Sequence, residues 1–189
     1  MRRTLWWGSA IVAGLVLGLG SAQVMVRRGV AAAMVRNGAW QTSLDTGSAA
    51  ASPYLRAQVA VAGLLALNRD ETIYFRADRD ESGHRFDGSC DVVIDGSDPA
   101  ARWWSITAYA EDNYLIANPE QRYSFSQSTV QRQADGQFRI IASPRRQAGN
   151  WLPVAAAPFD LTLRLYNPAP EVGADPAGVA LPRIRQACP

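Results

Sequence analysis

From Thr4 to Val26 the sequence carries no charged residue. A helix of those twenty-three residues reaches about 34 Å, enough to cross a hydrocarbon core about 30 Å thick. The cationic start Met1-Arg2-Arg3 precedes it, Trp6 and Trp7 stand where an interfacial aromatic belt belongs, and Arg27-Arg28 close it. Residues 1–28 are therefore predicted to be a retained signal-anchor helix. Two other readings compete: a cleaved signal peptide ending at Gly20-Ser21-Ala22, and twin-Arg export through Arg2-Arg3, whose usual flanking residues are missing. No Cys lies near the run, which argues against a lipoprotein. Arg2, Arg3 and the amino group compete with Arg27, Arg28 and Arg36 for the inner side; the three-residue tail favours the amino terminus inside and the remainder outside.

The anchor separates the rest of the chain from the membrane, and composition bounds that rest. The net charge is +2, and all nineteen basic residues are Arg, scattered without a basic run, so a nucleic-acid partner is not expected. About 160 residues remain, enough for one domain with a sizeable core. Val30 to Trp40 reads as an Ala-rich helical continuation, and residues 29–51 together as a stalk and linker. Met25, Val26, Val30 and Met34 would share a helix face available for association. Ser52-Pro53 begins a helix as N-cap and first-turn residue; Leu55, Val59, Ala62 and Leu65 or Ala66 fall on one face, and Asn68 is the expected stop.

From Thr72 the apolar period changes to two. Ile73 and Phe75, then Cys90, Val92 and Ile94, then Trp104, Ile106 and Ala108 alternate with outward residues. Asp135-Gly136 is a hairpin signal before Phe138, Ile140 and Ala142. Phe159, Leu161, Leu163 and Leu165 form the cleanest alternation, with Asp160, Thr162, Arg164 and Tyr166 opposite. After Pro168 the Pro/Gly-rich tail is expected to run over the surface. The pattern predicts a mainly β fold: an antiparallel β-sandwich or jelly-roll-like domain at 52–189, preceded by one helix, with the transmembrane helix separate.

Five segments carry a family resemblance. Ala101–Tyr109 (A-R-W-W-S-I-T-A-Y), Asn118–Tyr123 (N-P-E-Q-R-Y), Asp135-Gly136, Asn150–Pro153 (N-W-L-P) and Leu161–Pro168 (L-T-L-R-L-Y-N-P) resemble the DUF1214 domain, a bacterial domain of unknown function. The likeness spans about Pro53 to Gln186. It implies a β-rich sandwich and a location in the bacterial envelope, and no activity. Family members often carry a DUF1254 domain upstream; here only the helix and stalk precede the match, as in a short anchored form. The resulting expectation is a single-pass protein of the bacterial inner membrane with its C-terminal domain in the periplasm.

Outside the cytoplasm, Cys90 and Cys188 are expected to form a disulfide that pins the tail; a pair so far apart is no C-x-x-C redox motif. With one His and those two Cys, too few ligands remain for zinc or iron, so neither metal nor cofactor is expected. Asp78, Asp80, Ser82 and Gly83 match the start of a calcium loop, but its twelfth position would be Ser89 rather than Glu, and a solvated turn holding His84 is the better reading. Trp103, Tyr109, Trp151, Arg164 and Tyr166 would make a patch of rings, hydroxyls and a guanidinium on the non-core face, chemistry that suits sugars, lipid headgroups or a protein surface; the plainer reading is that these rings fill the second layer of the sandwich. Asn118, Arg122 and Asn150 join them as loop candidates, with loop capping as the plainer use. The expected function is a non-catalytic envelope module binding a glycan, lipid or protein. The alternative is a hydrolase or lyase acting on an anionic envelope substrate, with acids such as Asp78 or Asp112 and with Arg122 or Arg164.

Overall fold

The computed structural model describes residues 2–31, 34–61 and 66–188. Helix α1 spans Arg2–Ala31, and its segment Trp6–Met25 is long and apolar enough to cross a membrane, with every side chain from Trp6 to Met25 exposed. The side chains of Val26 and Val30, half of the proposed association face, lie outside the described residues.

The expected helical continuation over Val30–Trp40 holds to Ala31, and from Val35 the chain forms a hairpin instead. Strands β1 (Val35–Asn37) and β2 (Trp40–Thr42) pair across Gly38-Ala39, with Gly38 at φ +58°, a conformation glycine adopts without strain. The two turn residues are Gly38-Ala39, with glycine at the first, where the tight turn needs a positive φ. The hairpin is fixed from outside by the C-terminal tail. Asn37 Nδ2 donates to the carbonyls of Pro176 (3.0 Å) and Val179 (2.8 Å), and Trp40, 1% exposed, donates through Nε1 to Pro182 O (2.7 Å).

Helix α2 (Pro53–Val61) starts as its sequence dictates: Ser52 Oγ accepts from Leu55 N at 3.2 Å. Leu55 is buried, whereas Ala62 and Leu65 lie outside the described residues. Asn68 closes the turn into the next strand, its Oδ1 accepting from the Asp70 and Glu71 amides. The strands that follow are β3 (Thr72–Ala77), β4 (Asp91–Gly96), β5 (Ala101–Ala110), β6 (Ser124–Ser126), β7 (Phe138–Ser143), β8 (Asn150–Pro153) and β9 (Phe159–Pro168). Helix α3 (Pro170–Ala174) and strand β10 (Arg183–Ala187) complete the chain.

These strands form two sheets, of order β1-β2-β3-β9-β5-β6 and β10-β4-β7-β8. Their inner faces meet in one core, where Phe75, Trp104, Ile106 and Leu163 face Ile94, Phe138, Ile140 and Leu152. Trp104 of the first sheet stacks on Phe138 of the second with centroids 4.8 Å apart. Burying each such side chain stabilises the sandwich by about 1.5–3 kcal/mol.

All pairings are antiparallel except β7–β8, which are parallel. The exception has local causes. Ser143 O, at the end of β7, accepts from Trp151 Nε1 and from Val154 N, which turns the chain back alongside β7. The Asn150 side chain then bonds the Gln131 backbone in both directions and the Arg139 carbonyl, standing in for a missing strand. The tail also departs from expectation. Instead of running over the surface it buries Val172 and Ile184 and adds β10 to the second sheet, pinned by the Cys90–Cys188 disulfide across 98 residues.

Candidate functional site

The alternation that fills the core also decides what the opposite face of the six-stranded sheet carries. Cross-strand register places Arg36, Gln41, Arg76, Thr162, Thr107 and Ser124 in one row from β1 to β6. The next row reads Tyr74, Arg164, Ser105 and Ser126; a third holds Thr72, Tyr166 and Trp103. No residue of the first two rows is aliphatic. A sheet face facing only water would expose its short hydroxyl residues, yet Ser105, Thr107, Thr162 and Ser126 are all buried. Longer neighbours cover them, Arg164 and Tyr109 foremost.

Arg164 is the hub of this face. It donates to Thr107 Oγ1 (3.2 Å) and to the Tyr109 hydroxyl (2.8 Å), and its guanidinium carbon lies 5.9 Å from the Tyr74 ring centroid and 5.5 Å from that of Tyr109. Trp103 and Tyr166 pack as a tilted pair at 5.1 Å, with Trp103 36% exposed and its Nε1 donating to Ser128 Oγ. Four of the residues singled out by sequence, Trp103, Tyr109, Arg164 and Tyr166, thus share one face.

The other four gather elsewhere. Asn118 closes its own loop, donating to Ile116 O and Arg122 O and accepting from Arg122 N. Arg122 donates to Trp151 O (3.1 Å) and covers the Phe125 ring. Asn150 is buried and spends its amide on backbone, and Trp151 lies under the Arg146 guanidinium. Asn118 and Asn150 thus spend their amides on backbone groups, and Arg122 gives one N–H to backbone. Asp78 and Asp112 are not a pair: Asp78 faces Arg79 and Arg85, and Asp112 accepts from Tyr114 N. Asp80 Oδ1 accepts from Ser82 N and His84 N inside a tight hairpin, with Gly83 at φ +86°. Burial pushes the Asp80 carboxyl up, but the backbone N–H groups of His84, Gln186 and Ser82 and the His84 charge hold it below the usual carboxylate value. Among the described residues no three His, Cys, Asp or Glu side chains are placed to hold a metal ion.

The residue that sequence reasoning did not single out is Asp160. It sits beside Tyr109 on the outer face, 8% exposed, and its Oδ2 meets Arg76 Nη2 at 2.7 Å. Its Oδ1 is buried without a hydrogen-bond partner. Burial and the neighbouring Asp78 charge push the carboxyl above its usual value, against Arg76 and Arg164, which pull it down. Beside this pair opens a polar cleft of about 490 Å³, bounded by β1, α2, β3 and the turn between Asp78 and Arg85. Asp160 was visible as an outward residue of β9, but its pairing with Arg76, 84 residues away, depends on a register that local pattern does not carry.

Residues 71–170 match the family model "Protein of unknown function (DUF1214)". The chain belongs to the DUF1214 family. No curated protein matches it. Among solved structures, a structural-genomics protein from Vibrio parahaemolyticus is similar at 28% identity and TM-score 0.60, covering 73% of this chain and 36% of its own. The chain therefore spans little more than a third of that protein. An uncharacterised protein from Burkholderia cenocepacia aligns at 18% identity and TM-score 0.45, covering 64% of this chain and 30% of its own. The DUF1214 match runs from the turn before β3 to the start of α3, so it takes in Arg76, Asp160, Arg164 and the Trp103–Tyr166 pair; Arg36 and Gln41 of the hairpin lie before it.

Proposed function

We propose that this DUF1214 protein is a binding module of the bacterial envelope. In this reading residues 1–28 anchor it by a single pass in the inner membrane, the β-domain stands in the periplasm, and the outer face of the six-stranded sheet holds an envelope glycan. The segment 29–51 acts as the connection, its hairpin docked on the domain. One observation carries the reading: polar side chains run across that face from edge to edge and open beside Asp160 into a cleft. An antiparallel sheet can leave such a face to water or give it to a ligand. Interleaved guanidinium, hydroxyl and ring groups favour a hydroxyl-rich ligand over a lipid tail. The disulfide fits an oxidising compartment.

The test is binding of a solubilised envelope glycan fraction to the full chain in detergent. Trp103→Ala/Tyr166→Ala and Arg36→Gln variants should lose binding while keeping native circular dichroism. Undiminished binding by both would remove the outer face from consideration.

A second reading, a hydrolase or lyase on an anionic substrate, draws on the raised pKa of Asp160 rather than on Asp78 or Asp112, which have other partners. It requires turnover of that glycan fraction that disappears in Asp160→Asn.

A further inference from the structure

The cleft beside Asp160 contains donors that the protein leaves unused. Arg76 is engaged, bonded to Asp160 at 2.7 Å and to Asn113 Oδ1 at 3.3 Å. Arg36, Arg79 and Arg85 also line the cleft, and among the described residues their guanidinium groups donate no hydrogen bond. Arg79 Nε and Arg85 Nε stand 3.5 and 3.7 Å from the two oxygens of Asp78, and Arg85 Nη2 stands 3.6 Å from Glu111 Oε1. Charge-assisted bonds are shorter, near 2.8 Å, so these contacts are loose electrostatic ones. A guanidinium carries five N–H donors in a planar fork that matches a carboxylate. Arg36 lies two strands from Arg76 in the same cross-strand row, about 10 Å away along the sheet.

Charge and size narrow the ligand. The lining carries four Arg and three acids, a surplus of 4 − 3 = +1. Subtracting the Arg76–Asp160 pair leaves three guanidinium groups against Asp78 and Glu111. One carboxylate offsets that surplus, so of an acidic oligosaccharide a single uronate unit enters the cleft and the others stay in solvent, whereas a doubly charged phosphate would set both charges against Asp78 and Glu111. Gln41 and Gln58 add amide groups that donate and accept, suited to hydroxyls. At about 490 Å³ the cleft lies within the range of small-ligand sites, about 300–1,000 Å³.

We propose that this cleft binds a sugar acid, its carboxylate held by Arg79 and Arg85 with Arg36 opposite, and its hydroxyls by Gln41, Gln58 and Asp78. The proposal rests on the outer face being a glycan-binding face and adds the class of glycan. Arg79 and Arg85 give up their loose contacts with Asp78 and take the incoming carboxylate as a bidentate partner; Asp78 then accepts from sugar hydroxyls.

The test is calorimetric titration of the full chain in detergent with tetragalacturonate, with cellotetraose as the neutral counterpart and inorganic phosphate as the small anion. Tetragalacturonate should bind about tenfold or more tighter than cellotetraose, and added salt should weaken it. Arg85→Gln and Arg79→Gln, at half-exposed positions where folding is undisturbed, should each lower its affinity about tenfold. Phosphate as tight as tetragalacturonate would make this a general anion site and overturn the sugar-acid assignment. Equal affinity for both oligosaccharides, or insensitivity to both Arg variants, would overturn it too. If cellotetraose binds and Trp103→Ala/Tyr166→Ala abolishes that binding, the glycan-binding reading stands without the acidic specificity. If neither oligosaccharide binds, the acidic class fails and the envelope-fraction experiment decides the broader reading by itself.

Discussion

At the scale of single residues, the outer face is governed by two charges with opposite settings. Arg164 is satisfied: two hydrogen bonds and two ring faces fix it between β3 and β5. Arg164→Ala should destabilise the protein by about 1–2 kcal/mol, read by urea denaturation, because the Thr107 and Tyr109 hydroxyls lose their donor. Asp160 is under-satisfied, with one oxygen buried and unpartnered. Its folded-state pKa lies above the unfolded value, so the native state binds the proton more tightly than the unfolded chain. Its contribution therefore favours folding at low pH and is lost as pH rises from about 4 through the raised value. Denaturation from pH 4 upward should show that decline in the wild type and a flatter profile in Asp160→Asn; parallel profiles would refute the assignment. Arg164 could be placed from sequence because a period of two puts it opposite Leu163 and Leu165. Asp160 was equally outward, but its burial depends on Arg76 and Asp78 from β3 and the turn after it, and no local pattern announces them.

At the scale of elements, the two ends of the chain hold each other. The β1–β2 hairpin is tied to the tail through Asn37 and Trp40, and the tail is tied to β4 through strand pairing and the Cys90–Cys188 bond. Trp40→Ala should cost about 3–5 kcal/mol from lost burial and an orphaned Pro182 carbonyl, measured by chemical denaturation. Cys188→Ser removes a bridge across 98 residues, worth on the order of 4–5 kcal/mol in the chain-entropy account. Reductant should lower the melting temperature of the wild type to that of the variant and leave the variant unchanged. The long central strands were legible because each alternates over four or more positions. The hairpin and β10 were not, since they are short and owe their state to partners distant in sequence, the hairpin to Pro176, Val179 and Pro182 and β10 to β4. The Cys pair hinted at a pinned tail, but the Pro and Gly before Cys188 read as loop. The parallel β7–β8 pair was hidden for a similar reason: it follows from what the Asn150 side chain bonds, not from hydrophobic period.

At the scale of the whole molecule, an N-terminal helix long and apolar enough to cross a membrane precedes a disulfide-bonded sandwich, and the proposed topology places that sandwich in an oxidising compartment. A C-terminal alkaline phosphatase fusion should be active; activity only from a cytoplasmic reporter would reverse the topology. The outer face of the second sheet is polar too, but its charges are paired, Arg139 and Arg185 with Asp95 and Arg145 with Asp91; the proposed ligand therefore lies on the outer face of the first sheet, beside Asp160. Hydrogen exchange of the full chain in detergent, with and without tetragalacturonate, tests that assignment most directly. The expected result is added protection in the β1–β2 hairpin, across Thr72–Arg85 and at Phe159–Thr162, with β4, β7 and β10 unchanged. Protection confined to the four-stranded sheet, or none at a saturating concentration, would contradict it.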